Sequence, residues 1–140
     1  MKRAFLTASL ILVATFAVAA RADDARTVYG SASAVRMLAP YLNLIESRGD
    51  VAIVASHVGT GQLVLDVIDG KAAVAAIAMP LAHAVAAARL AAWEEGRILT
   101  LPESLQFHPI AALSGTQATV GFVTLGAAPA SLQKVLVELR

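Results

Sequence analysis

Apolar residues fall along this chain in two rhythms. Short continuous runs of β-branched and small residues alternate with longer stretches whose apolar positions recur every three or four residues. The first rhythm marks buried strands, the second helices with one buried face. From Arg26 to Tyr29 the chain reads as a short strand that ends at Gly30, and Gly30-Ser31-Ala32-Ser33 opens a helix with Ser31 or Ser33 as its N-cap. Met37, Leu38, Tyr41, Leu42 and Ile45 form that helix's apolar stripe, which Pro40 should kink or divide before Arg48-Gly49-Asp50 ends it. From Val51 to Ala55 runs a second strand, followed by the loop Ser56-His57-Val58-Gly59-Thr60-Gly61. A helix with Leu63, Val64, Val67 and Ile68 on one face then stops at Gly70. A third strand is expected from Ala72 to Ala78, and a helix from Leu81 to Glu95 with Trp93 packed beneath it. Ile98 to Leu101, Phe107 to Leu113 and Thr119 to Thr124 are strand candidates, and Ser131 to Leu139 is a last helix capped by Ser131.

Strands alternating with helices predict βαβ units, hence an α/β domain with a mostly parallel sheet flanked by helices. Ligands of such sheets sit at the carboxyl ends of strands, beside helix N-termini. Both Gly/Ser/Thr loops fall there. Helix capping in the first loop, and in the second a tight strand-to-helix turn with Thr60 as N-cap, account for the same residues without a ligand, so both readings stand at this point.

The N-terminus changes the class of protein expected. Lys2 and Arg3 precede an apolar run from Ala4 to about Ala20, and Ala20-Arg21-Ala22 makes a small-x-small site before Asp23 and Asp24. That is the layout of a secretory signal, so residues 1–22 are expected to be a cleaved signal peptide and residues 23–140 the mature, periplasmic domain. The leader holds Lys2, Arg3 and Arg21; without it eight basic residues face ten acidic ones, and the net charge of +1 becomes −2. A chain with that balance has no basic stripe for nucleic acid. There is no cysteine, which excludes disulfides, thiolate chemistry and a lipid-anchored N-terminus. The chain is 58 % hydrophobic, yet its Ala-rich stretch is interrupted by Pro80, His83 and Arg89, which argues for strand then helix over a membrane span.

At the two loops the chain resembles the N-terminal lobe of the periplasmic phosphate-binding proteins, the solute receptors of phosphate ABC transporters. The pieces that carry the likeness are Gly30-Ser31-Ala32-Ser33, the strand from Val51 to Ala55, Val58-Gly59-Thr60-Gly61, Asp69-Gly70-Lys71, the strand from Ala72 to Ala78, and Met79-Pro80-Leu81. Phe107-His108-Pro109-Ile110-Ala111 is similar to the strand by which such proteins approach their hinge. The resemblance implies a single three-layer lobe of a periplasmic-binding-protein-like fold. It also implies phosphate or a similar oxyanion held by Ser31, Ala32 and Ser33 from the first loop and Gly59, Thr60 and Gly61 from the second. Backbone amides and hydroxyls at helix N-termini can hold such an anion without formal positive charge. The sequence departs from the family at Val58, where the family has serine, and at Ile77 and Ala78, where it has a polar position. Val120 to Thr124 and Ser131 to Leu136 resemble the strand and helix that begin the family's second lobe, whose own anion-binding loop has no counterpart before Arg140, so a second copy or an ABC permease is the expected partner.

Other candidates are weaker. His57 borders the second loop, but His83 and His108 are far from it and no metal-ligand spacing occurs. Glu94 and Glu95 are helix neighbours that point apart. Asp66 and Asp69 are placed on the solvent side of the second helix, and Arg36 and Arg89 on solvated helix faces. No nucleophile elbow, phosphate-loop lysine or metal motif is present, so no enzyme, cofactor or metal is expected. The rival reading is a lobe without ligand that acts as an envelope interaction module. A third is an incomplete protein, in which the last helix would leave Leu132, Val135, Leu136 and Leu139 uncovered.

Overall fold

The structure, a computed structural model, describes residues 26–110 and 119–139. The expected signal peptide and residues 111–113 of one expected strand lie outside the described residues. In chain order the elements are β1 (Thr27–Gly30), α1 (Ala32–Leu38), a 3₁₀ turn (Ala39–Tyr41), α2 (Leu42–Gly49) and β2 (Ala52–Ala55). They continue as α3 (Thr60–Ile68), β3 (Val74–Ile77), α4 (Leu81–Glu94), β4 (Leu105–Pro109), β5 (Gly121–Leu125) and α5 (Ala130–Glu138). Pro40 does divide the first helical stretch, because a proline ring cannot donate to the helical ladder. Asp50 then stops α2 in the left-handed region, φ 52°, with its N–H donated to the Glu46 carbonyl.

The sheet has the order β2-β1-β3-β5-β4. β1 is parallel to both β2 and β3, whereas β5 lies antiparallel between β3 and β4. Four strands therefore run one way and β5 runs against them. Alternation along the central strands feeds two cores. Val74, Ala76 and Phe122 join Val28, Leu38, Ile45, Leu132 and Val135 on the face covered by α1, α2 and α5. Ala75, Ile77 and Val123 join Leu63, Val64, Ala84, Ala88 and Ala92 on the face covered by α3 and α4. The result is an α/β domain of three layers. Leu132, Val135 and Leu139 of the last helix are buried and Leu136 packs against the same core. Among the described residues no helix is long and apolar enough to cross a membrane.

Four sequence expectations are corrected. Ile98 to Leu101 form no strand; Leu99 and Leu101 pack into the second core from a loop that the Arg89 guanidinium holds through the Leu99 carbonyl, 3.2 Å away. Trp93 is 67 % exposed. The buried stripe of α4 is Ala84, Ala88 and Ala92, and the next residue turns about 100° off that stripe toward water. The cap of α5 is Pro129 rather than Ser131, and the cap of α3 is Gly59 rather than Thr60.

Candidate functional site

β1 is the strand at which the order reverses: the chain passes out to β2 on one side, then returns across β1 to β3 on the other. Helices α1 and α2 cover one face and α3 and α4 the other, so the loop from β1 to α1 and the loop from β3 to α4 diverge. A crevice at such a switch point is where open α/β sheets hold ligands. Two backbone bonds tie the edge together. The Ser31 N–H donates to the Ala76 carbonyl (3.1 Å), and the Ser56 N–H donates to the Gly30 carbonyl (2.9 Å).

The first loop is a satisfied helix cap. Ser31 is extended (φ −61°, ψ 155°), and its Oγ accepts the Ala34 N–H at 3.2 Å, while its carbonyl accepts the Val35 N–H at 3.0 Å. Ser31 is only 8 % exposed, so it contributes a hydroxyl hydrogen at most to anything outside. Ala32 and Ser33 are exposed and supply first-turn amides, which have no acceptor within their own helix.

The second loop is built differently. The Ser56 hydroxyl accepts the Val58 N–H at 3.1 Å, closing a small turn that points His57 and Val58 outward. Gly59 is extended and caps α3 without a side chain, leaving Thr60 and Gly61 in the first turn. The two glycines serve different ends. A Cβ on Gly59 would meet nothing within 4 Å, whereas one on Gly61 would run into the Ala87 carbonyl of α4. Gly61 therefore allows α3 and α4 to approach closely, and its amide remains the only group it can offer a ligand. The carboxyl end of β3 adds no polar side chain: Ile77 is fully buried, Met79 packs against the second core, and Pro80 has no N–H.

Both loops thus reach the carboxyl edge, with α1 and α3 starting on opposite faces of the sheet. Beside the second loop lies a groove of about 370 Å³ that the sequence did not disclose. Tyr29, Val54, His57, Val58, Leu63 and Asp66 line it, and the first, second and fourth of these are between 42 % and 47 % exposed. The signal was available in β1: alternation sends Tyr29 to the face opposite buried Val28, and α3 does not extend over β2 to cover it. Asp66, expected in solvent, is half-buried on the groove wall and accepts the Gln62 side-chain amide at 2.9 Å.

Charge at the far end of α3 is organised by one pair. The Arg97 guanidinium grips Asp69 with two bonds of 2.8 and 3.2 Å and reaches Glu95 at 3.3 Å. The guanidinium hydrogen bonds hold the Asp69 carboxyl below its ordinary value, against the opposing effect of burial. His108, treated as isolated in the sequence, meets Thr124. The Thr124 hydroxyl donates to the Gly126 carbonyl (2.7 Å), so the His108 Nε2–H must donate to Thr124 Oγ1, 2.8 Å away. Among the described residues no three His, Asp or Glu side chains converge as a metal site would require. Comparison with family models, with curated proteins and with solved structures finds no match to this chain.

Proposed function

We propose that the carboxyl edge of the parallel strands binds a phosphate-like oxyanion, in the manner of a periplasmic solute-binding lobe serving uptake or sensing. The observation that carries this reading is the switch point at β1, where first-turn amides of α1 and α3 flank the strand ends. Ala32 and Ser33 contribute amides, Ser33 and Thr60 hydroxyls, and Gly59, Thr60 and Gly61 the amides of the second loop; Ser31 holds the first turn in place. Helix N-termini favour negative charge through unpaired amides and the macrodipole. Ile77 and Ala78 offer no acceptor for a phosphate proton, so sulfate should compete with phosphate almost equally. A permease or another protein would supply the opposing surface.

The test is isothermal titration of residues 23–140 with phosphate and with sulfate. Saturable heat that disappears in Thr60→Val and weakens in Ser33→Ala supports the reading. Silence at millimolar phosphate from a chain with a cooperative melt sinks it. A second reading, an interaction module without a ligand, is favoured by one observation: Tyr29, Val54 and Val58 gather exposed apolar surface in a single groove.

A further inference from the structure

Strand β2 is an edge of the sheet, bonded only to β1. Tyr29 and Val54 lie side by side in that ladder, and both stay exposed because α3 stops short of β2. They line the groove of about 370 Å³ together with Val58, Leu63 and Ala72, so its surface is largely apolar. One carboxylate interrupts it. Asp66, half-buried on α3, forms part of the wall.

The rest of the protein does little to compensate that carboxylate. It stands in the last turn of α3, where the helix dipole opposes negative charge and no basic residue answers it. Its Oδ1 accepts the Gln62 side-chain amide at 2.9 Å, and among the described residues no hydrogen bond reaches Oδ2. Ion pairs among the described residues engage Asp50, Asp69 and Glu95, and leave Asp66 without one. Of the nearby basic side chains, Arg97 and Lys71 act on Asp69, and His57 lies on the exposed rim of the groove. A half-buried carboxylate without a counter-ion is costly, and a cation in the groove offsets that cost.

We propose that this groove binds a small organic cation, an ammonium group carrying a short apolar chain. The ammonium donates to the Asp66 oxygen that Gln62 leaves unmet. The chain lies against Val54, Val58 and Leu63, where its burial displaces water. Tyr29 presents an exposed ring to the same space, and the face of an aromatic ring attracts a cation. The volume falls at the small end of ligand clefts, which run from about 300 to 1,000 Å³, and so suits a small molecule. The first-turn amides of α3 attract the opposite charge, so this site is distinct from the one proposed for an oxyanion.

Titration of residues 23–140, which hold every residue of both cores, with pentylamine tests this through backbone amide shifts. Pentanol and pentanoate serve as the neutral and anionic controls of equal chain length. Saturable shifts are expected at Tyr29, Val54, Val58 and Asp66. Pentylammonium should bind about tenfold more tightly than pentanol, as one charge-assisted hydrogen bond provides, and pentanoate most weakly. Asp66→Asn keeps the size and an acceptor for Gln62, so its melt should match the parent's while its ammonium affinity falls to that for pentanol. Tyr29→Leu should weaken the ammonium about threefold and leave pentanol unchanged. Equal binding of the three probes overturns the proposal, as does an ammonium affinity that survives Asp66→Asn. So does the absence of saturable shifts at millimolar amine from a folded chain. Phosphate heat is measured separately and bears on the anion reading alone.

Discussion

The loops after β1 and β2 are both rich in Gly and hydroxyl residues and stand at the same edge of the sheet, yet they solve different problems. The first is closed on itself: a buried serine caps α1 and its backbone is bonded to β3. The second is open at Gly59 and rigid at Gly61, where the helix behind it leaves no room for a methyl group. Gly, Ser and Thr are what a ligand loop uses, and also what caps and close helix contacts use. Their presence marks a place where the backbone is crowded or unsatisfied, and the surroundings decide which.

Substitutions can break that contrast. The largest effect is expected from Gly61→Val, which forces α3 away from the Ala87 carbonyl; denaturant unfolding should show a loss of about 3 kcal/mol, as overpacking of a dense contact does. If the loss were negligible, Gly61 would be free to serve a ligand and the division between the two glycines would fall. Ser31→Ala should cost about 1 kcal/mol, the usual value of an N-cap side chain, with faster exchange of the Ala34 amide. Gly59→Ser has open space around it and adds a cap, so a gain of a few tenths of a kcal/mol is expected from the same unfolding experiment.

The smallest effect concerns the far end of α3, where Arg97 holds Asp69. The folded carboxyl titrates below its ordinary value, so the pair contributes stability above the unfolded pKa, near 3.8. That contribution fades as pH falls through the lower folded value. Thermal melts of the parent and Asp69→Asn should differ slightly at neutral pH and converge in strong acid; a gap that widened on acidification would contradict the pairing.

Much of the fold was legible because local chemistry and tertiary demand agree there. Pro40 splits the first helix, the apolar run before Pro80 makes the most buried strand, and Gly70 ends α3, each for a reason contained within a few residues. The candidate site was legible only as positions. That Ser31 is buried as a cap, that Gly61 belongs to a helix contact, and that Asp66 walls a groove all depend on partners far away in the chain. The same holds for Ile98 to Leu101, whose strand-like composition goes into packing Leu99 and Leu101 against the second core from a loop.

Trp93 shows the boundary most plainly. It is the one tryptophan in the chain, and its size alone predicts burial, so its fluorescence should report an exposed indole readily quenched by acrylamide. By itself the sequence determined the alternation of strands and helices, the net charge, the absence of thiols and the edge at which the Gly/Ser/Thr loops would lie. Only the tertiary structure decided which side of α4 faces inward, which glycine is crowded and which strand is left with unpaired backbone. Those outcomes depend on close packing between residues distant in sequence, and a steric limit of that kind leaves no local pattern to read.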